Sequence, residues 1–364
     1  MRVVLTGGGT GGHIYPALAV AKEIARQHPE ATFLYIGTDK GLEAKLVPRE
    51  GIPFKAVEIS GLKRKLSLEN LKTAWKFIRA VSRSKQLLRE FQPDVVIGTG
   101  GYVCGPVVFA ASRLRIPTVI HEQNVEPGLT NKFLANFVSH ICVSFAESLS
   151  YFPKNKTITT GNPRATEVLH GDAAAGRAAY AIPAGKRIVL IVGGSRGARA
   201  INEATLDLLR EGETFSDTHF VYVTGEVHFE LVSSSMTKPL PQNVSFLPYV
   251  YNMPDLLAAT DVIVNRAGAS FLAEITALGV PAILIPSPYV TNNHQEKNAR
   301  GLERAGAALV ILERDLNGAT LGNALSELLQ NPARWQAMRE CSLKLGKPDA
   351  ATAIYNVVRQ AGKT

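Results

Sequence analysis

Apolar and polar positions along this chain predict strands at 3–6, 32–37, 95–98 and 118–121, with stretches of helical spacing between them. The same pattern returns at 188–192, 220–224, 262–265 and 282–285. The matching segments are alike in letter as well as in period. RVVLTGGGTGG at 2–12 parallels RIVLIVGGSRG at 187–197, and FLYIGT at 33–38 parallels FVYVTG at 220–225. DVVIGTGG at 94–101 likewise answers DVIVNRAG at 261–268, and IPTVIHEQN at 116–124 answers VPAILIPSP at 280–288. Four runs recurring in order, each closing on Gly, Pro or polar residues, predict two similar α/β domains built from βαβ units around parallel sheets. The expected ligand site is the cleft between them.

The turn tripeptide Gly161-Asn162-Pro163 ends a β-type run before a new helical pattern, which places the boundary there: a first domain over 1–162 and a second over 163–348. Pro348-Asp349 then starts a tail, 349–364, with a short helix over 350–360; a return to brace the first domain is one course open to it, a crossing that the pattern alone does not show. The length of 364 residues suits two such cores, and 46% hydrophobic with 20% charged residues is ordinary globular composition. The first strand begins at Arg2 with no charged and apolar leader before it, so a cytoplasmic protein is expected. Two uncharged stretches, 95–112 and 275–293, are interrupted by glycines and prolines and do not read as membrane spans. Three cysteines with no paired spacing predict reduced thiols, without disulfide or zinc site.

Charge alters the picture in one place. Of the net +9, residues 62–89 carry nine Lys or Arg against Glu69 alone, which is +8. On a helix starting near Ser67, Leu71, Ala74, Trp75, Ile78 and Val81 share a face, and Lys72, Lys76, Arg79 and Arg83 form a stripe beside it. A basic amphipathic helix with a Trp suits an anionic membrane surface, and a solvated helix flanking a sheet has the same look. Nucleic acid is not expected, because the block lacks interleaved aromatics and no recognition module is visible.

Candidate chemistry gathers at strand ends. Gly7-Gly8-Gly9-Thr10-Gly11-Gly12-His13 follows a strand and opens a helix, the arrangement that offers backbone amides to a pyrophosphate. It also satisfies the dinucleotide spacing, with Asp39 after the next strand. Related turns at Gly193-Gly194-Ser195-Arg196-Gly197 and Gly98-Thr99-Gly100-Gly101-Tyr102 argue instead for two phosphate-bearing substrates. His13 reads equally as a general base and as a capping or phosphate-binding group. His121-Glu122-Gln123-Asn124 leaves a strand at the ligand-binding edge and reads as a site loop. Arg266-Ala267-Gly268-Ala269-Ser270 opens a helix suited to a diphosphate, with Glu274 placed for ribose. In the run 292–298, Gln295 and Asn298 share a helical face suited to sugar hydroxyls. No Asp-x-Asp metal motif is present.

Together GGGTGGH, GTGGYVCGP, HEQN, GNPR, GGSRGA, RAGA and NNHQEKNA resemble the MurG-type N-acetylglucosaminyltransferases of peptidoglycan synthesis, over nearly the whole chain. The resemblance implies a GT-B fold: two Rossmann-like domains with parallel sheets facing across a cleft, and a C-terminal helix returning to the first. It implies transfer of GlcNAc from UDP-GlcNAc to the C4 hydroxyl of MurNAc in lipid I, with inversion, giving lipid II and UDP at the cytoplasmic membrane face. Contacts to UDP-GlcNAc implied by motif are Thr10, Gly11, Gly12, Asn124, Arg164, Ser195, Val250, Arg266, Gly268, Ala269, Glu274, Gln295 and Asn298. Val250 would meet uracil through its backbone, Ser195 and the RAGA helix end the diphosphate, Glu274 the ribose, and Gln295 with Asn124 the sugar hydroxyls. His294 is placed near the sugar, where some members carry Gln. Gly9, Gly100, Gly101 and Tyr102 are left for the acceptor diphosphate.

His13 is nominated as base with Glu122 in reserve. Leu71, Lys72, Trp75, Lys76, Ile78 and Arg79 are nominated for membrane contact. No tightly bound cofactor or metal is expected, with Mg²⁺ at most a stimulant. Oligomeric state has no signature in the pattern. The competing readings are a UDP-GlcNAc 2-epimerase of the same fold, a nonenzymatic nucleotide-sugar sensor at the membrane, and a nicotinamide oxidoreductase.

Overall fold

The structure is a computed structural model that describes residues 1–61, 68–194, 197–210, 215–236 and 239–362, with the side chains of one helix, Leu68–Phe91, described from Trp75 onward. It divides into two compact units, Met1–Arg164 with Asp349–Thr364, and Ala165–Pro348.

The first unit holds seven strands: β1 Arg2–Thr6, β2 Thr32–Gly37, β3 Phe54–Ala56, β4 Val95–Gly98, β5 Thr118–Glu122, β6 His140–Val143 and β7 Thr157–Thr159. They lie in the order β3-β2-β1-β4-β5-β6-β7, all parallel. Successive side chains alternate between two buried faces, which is why these strands read as nearly unbroken apolar runs. Val3 and Leu5 pack with the helix Gly11–Gln27 and the terminal helix Ala350–Ala361, while Val4 packs on the other face with Leu68–Phe91 and Cys104–Arg113. The tail thus completes a core of the first unit through Ile354, Val357 and Val358.

The second unit repeats the plan with β8 Arg187–Val192, β9 Thr218–Val223, β10 Val244–Leu247, β11 Val262–Asn265, β12 Ala282–Leu284 and β13 Ala308–Val310, in the order β10-β9-β8-β11-β12-β13. Val189 and Ile191 bury against the helices Arg199–Arg210 and Gly318–Leu329. The eight strands expected from the pattern are all present. The five unforeseen ones, β3, β6, β7, β10 and β13, have three or four residues each and lie outside the four segments that recur between the halves.

The basic helix differs in facing from its expected face. Its buried stripe runs through Phe77, Ala80, Val81, Ser84, Leu87 and Leu88, whereas Trp75 and Ile78 are 58% and 66% exposed. The expected face assigned Val81 to the same side as Trp75. The core takes Val81 and leaves Trp75 outside, because Val81 lies on the stripe that Phe77, Ser84 and Leu88 turn toward the sheet. The side chains of Leu71, Lys72 and Ala74 lie outside the described residues.

Candidate active site

In an open parallel sheet the crevice for ligands forms where the strand order reverses, at the carboxyl ends of two strands whose crossovers depart to opposite sides. In the first unit that point lies between β1 and β4, and the two glycine loops are the segments that leave those strands. They touch closely. Gly8 N–H donates to Gly100 O at 3.2 Å, and a Cβ on Gly101 would overlap the Gly8 carbonyl. Gly9, Gly100 and Gly101 all have positive φ (84°, 105° and 82°), a region that favours residues without a Cβ. Tyr102 stands against Gly9, 3.5 Å from where its Cβ would be.

His13 lies in the first turn of Gly11–Gln27, beside this junction. Its Nδ1 is 3.0 Å from Gly8 O and 3.4 Å from Thr10 Oγ1. A carbonyl can only accept, so Nδ1 carries a proton, and in the neutral ring the lone pair then falls on Nε2. The imidazole edge fits over Gly100, where a Cβ would come within 2.9 Å of Cδ2 and 3.2 Å of Nε2. Thr99 Oγ1 donates to His13 O at 2.6 Å and ties the helix start to β4. Around the same helix start, Thr10 and Gly12 are exposed, and the first amides of a helix have no intrahelical acceptor. Gly9 N–H is committed elsewhere, donating to Glu43 Oε2 at 3.1 Å, so among the loop residues Gly9 serves by its conformation.

The HEQN segment separates into framework and face. His121 is buried, its Nε2 donating to Gly161 O at 2.9 Å and its Nδ1 accepting from Gln123 at 3.1 Å; burial pulls it down to about 4. Gln123 also donates to Thr99 O at 2.8 Å. Glu122 is buried and accepts from Asn124 N (3.0 Å), Gly128 N (3.2 Å) and Asn131 Nδ2 (2.9 Å). A carboxylate whose lone pairs are filled by loop amides shapes the loop and has little left for a substrate proton, so Glu122 is withdrawn as reserve base. Asn124 alone of the four is half-buried. Arg164 lies 5.4 Å from the Tyr15 ring, and its amide donates to Asn162 Oδ1 at 3.1 Å.

In the second unit the reversal lies between β8 and β11. The loop after β8 turns on Gly194 and Gly197 (φ 90° and 73°), with Gly197 N donating to Gly194 O at 2.9 Å; Ser195 lies outside the described residues. After β11, Gly268 caps the helix Ala269–Leu278, whose second turn carries the buried Glu274. Arg266 is held within the unit, paired with Glu313 at 2.5 Å and donating to Ile285 O at 3.1 Å. Those two bonds brace the turn that Arg266 opens. Asn298 is likewise fully buried and donates to Ala267 O at 3.2 Å, holding the RAGA turn from behind. The shared helical face for Gln295 and Asn298 is therefore divided: Asn298 points into the framework, while Gln295 Oε1 accepts from Ser287 N at 2.9 Å in the loop after β12. His294 opens its helix after two left-handed residues, Asn292 and Asn293 (φ 56° and 51°). Val250 is buried in the segment following β10.

Thr99, Asn131 and Glu43 were not nominated from sequence. Thr99 lay inside a quoted glycine motif, and its position between nominated glycines was a usable signal. Asn131 and Glu43 had none: Asn131 turns back on the end of β5, and Glu43 meets both Thr38 and the Gly9 amide, pairings that no spacing announces.

Comparison with known proteins shows the family. The glycosyltransferase family 28 N-terminal domain matches residues 3–143, and the glycosyltransferase family 28 C-terminal domain matches residues 188–354. A UDP-N-acetylglucosamine--N-acetylmuramyl-(pentapeptide) pyrophosphoryl-undecaprenol N-acetylglucosamine transferase of Halalkalibacterium halodurans is 53% identical over 364 residues, covering 100% of both chains. The crystal structure of Acinetobacter baumannii MurG superposes with a TM-score of 0.77 at 29% identity, covering 99% of each chain. A UDP-GlcNAc 2-epimerase from Neisseria meningitidis has the same fold, with a TM-score of 0.68 at 16% identity over 99% of this chain and 100% of that one. With both halves of the family matched in order and a relative of known type aligned end to end, the chain belongs to glycosyltransferase family 28, among the MurG-type N-acetylglucosaminyltransferases.

Proposed function

We propose that this protein transfers GlcNAc from UDP-GlcNAc to the C4 hydroxyl of MurNAc in lipid I, forming lipid II and UDP with inversion. The transfer itself follows from identity of 53% along the full length to an enzyme named for it. Assignment of the base rests on one observation, the 3.0 Å bond from His13 Nδ1 to Gly8 O. With Nδ1 occupied, Nε2 takes the proton of the C4 hydroxyl as its oxygen bonds to the anomeric carbon and the carbon–oxygen bond to UDP breaks on the opposite face. In this reading Gly100, Gly101 and Tyr102 meet the acceptor diphosphate, and Thr10, Gly11, Gly12, Asn124 and Arg164 border the reacting sugar. The amides at Gly268 and Ala269 with the loop after β8 receive the charge of the departing diphosphate, Glu274 the ribose, and Val250 the uracil. Gln295 and His294 take the GlcNAc hydroxyls. In this scheme the leaving-group charge rests on helix ends, and no step is routed through a metal held by the protein. Mg²⁺ acts in this scheme on UDP, as a stimulant.

The basic helix serves as a contact with the anionic cytoplasmic face of the membrane. What supports it is the exposed pair Trp75 and Ile78, with Arg79 stacked 4.6 Å from the Trp75 ring and Lys76 paired to Glu58 at 3.0 Å beside them. Among the described residues no helix is long and apolar enough to cross a bilayer.

Purified protein given UDP-GlcNAc and a lipid I analogue should release UDP and yield lipid II, and UDP-GlcNAc alone should give no UDP-ManNAc. Turnover should survive EDTA at reduced rate and fall at least about a hundredfold in His13→Gln. UDP-ManNAc formed without acceptor would overturn the transfer, total loss in EDTA the metal-free scheme, and near-normal kcat in His13→Gln the base.

A further inference from the structure

Three hydrogen-bond donors converge on a carboxylate beneath the first glycine loop. Glu43 opens the short helix Glu43–Arg49 and is completely buried. Its Oε2 accepts the Gly9 amide at 3.1 Å, and its Oε1 accepts the Thr38 amide at 3.1 Å and the Thr38 hydroxyl at 2.7 Å. Three glycines make room for it. A Cβ on Gly8 would stand 2.5 Å from Oε1, one on Gly37 2.7 Å from Cγ, and one on Gly41 would overlap both oxygens. Burying a carboxylate is costly and is tolerated only where donors meet it, so a position built this closely around an acid calls for a reason beyond packing.

That reason lies one peptide away. The amide of Gly9 and the carbonyl of Gly8 belong to a single planar trans unit, so they point in opposite directions. One end donates to Glu43, and the other accepts from His13 Nδ1 at 3.0 Å. We propose that Glu43 is a positioning residue for the transfer reaction, acting on His13 through the Gly8–Gly9 peptide. The carboxylate holds the peptide plane so that Gly8 O faces the ring, and its charge polarises the amide, making that oxygen a stronger acceptor. His13 is kept in the Nδ1–H tautomer, with the Nε2 lone pair ready for the acceptor hydroxyl. In a Ser-His-Asp triad the acid bonds the imidazole directly. Here a peptide stands between them, which keeps a full negative charge beneath the loop and away from the diphosphate that the loop is proposed to bind. The inference rests on the reading of His13 as base.

The experiment uses the full chain labelled with ¹⁵N-histidine, whose long-range ¹H–¹⁵N correlations report the tautomer of each of the eight histidines. The signals lost in His13→Gln identify that ring. In Glu43→Gln the side-chain oxygen can serve only one side. The two donors of Thr38 outweigh the single Gly9 amide, so the new NH₂ group faces Gly9 N–H and turns the peptide. His13 should then pass from one tautomer to a mixture, kcat should fall about tenfold, and KM for UDP-GlcNAc should stay within about twofold. An unchanged His13 tautomer overturns the proposal, whether kcat is kept or the loss falls in KM and thermal stability as for simple loosening. Should Glu43→Gln not fold, Glu43→Asp, one methylene shorter, withdraws the carboxylate from Gly9 and must show the same mixture; a wild-type tautomer there overturns it too. If His13→Gln retains turnover, the base reading falls, while the tautomer measurement still decides the relay.

Discussion

His121 shows how one residue type takes opposite roles in one sheet. It sits within β5, with no exposure, and its ring bonds are both met by the framework, Gly161 O on one side and Gln123 on the other. Burial disfavours the imidazolium, which takes its pKa from 6.5 to about 4. The unfolded chain therefore binds the proton first on acidification. His121 contributes its full stabilisation above about pH 6.5 and loses it as pH falls toward 4, by up to about 3 kcal/mol. His219 is lowered in the same direction by burial, so a variant is needed to isolate the term. Urea unfolding between pH 7.5 and pH 4.5 should show a shallower loss of stability in His121→Gln than in the parent, and equal slopes would remove His121 from the account. His13, in the first turn of its helix and half-buried, sets its ring beside the glycine junction instead. Sequence marked both histidines as chemical. Only the direction of their hydrogen bonds separates a buried strut from a ring beside the glycine junction, and the same holds for Glu122 and Asn298, whose polar character was legible and whose partners were not.

Among the elements, the terminal helix Ala350–Ala361 depends most visibly on packing. Its buried face, Ala350, Ala351, Ile354, Tyr355, Val357, Val358 and Ala361, repeats with helical spacing that was readable in advance. Its destination was not readable, since an amphipathic stripe says that a helix must cover something and not what. The structure answers with Glu23, which accepts from Arg26, Gln27 and Thr352 and is held down to about 2 chiefly by the Arg26 bond. The Tyr355 hydroxyl reaches His28 Nε2 at 2.8 Å. Ile354→Ala should cost about 2 to 5 kcal/mol in chemical denaturation, the range for a cavity in a close-packed core. A change below about 0.5 kcal/mol would mean that the tail does not complete this core. The helix Leu68–Phe91 teaches the complementary lesson: its apolar residues were countable from sequence, but the choice between Val81 and Trp75 as the buried side belonged to the sheet.

For the molecule as a whole, the charge excess is concentrated at 62–89, on a segment that also exposes Trp75 and Ile78. Binding of the full chain to anionic vesicles should therefore weaken on raising salt from about 0.1 M to about 1 M, which shortens the Debye length from about 10 Å to about 3 Å. Trp75→Ala with Ile78→Ser should weaken it further at low salt; sedimentation indifferent to both salt and substitution would sink the membrane reading. By itself the sequence determined the two repeated α/β units, eight of their strands, the glycine turns and the family, because each is written in local period or contiguous motif. Tertiary structure alone decided that Arg266 and Asn298 brace the RAGA turn, that Glu122 holds its own loop, and that Glu43 reaches His13 through a peptide. The Arg266, Asn298 and Glu43 bonds depend on parallel strands bringing residues far apart in the chain to one sheet edge, and those of Glu122 on how its own loop turns back; neither has a counterpart in the spacing of residues along the chain.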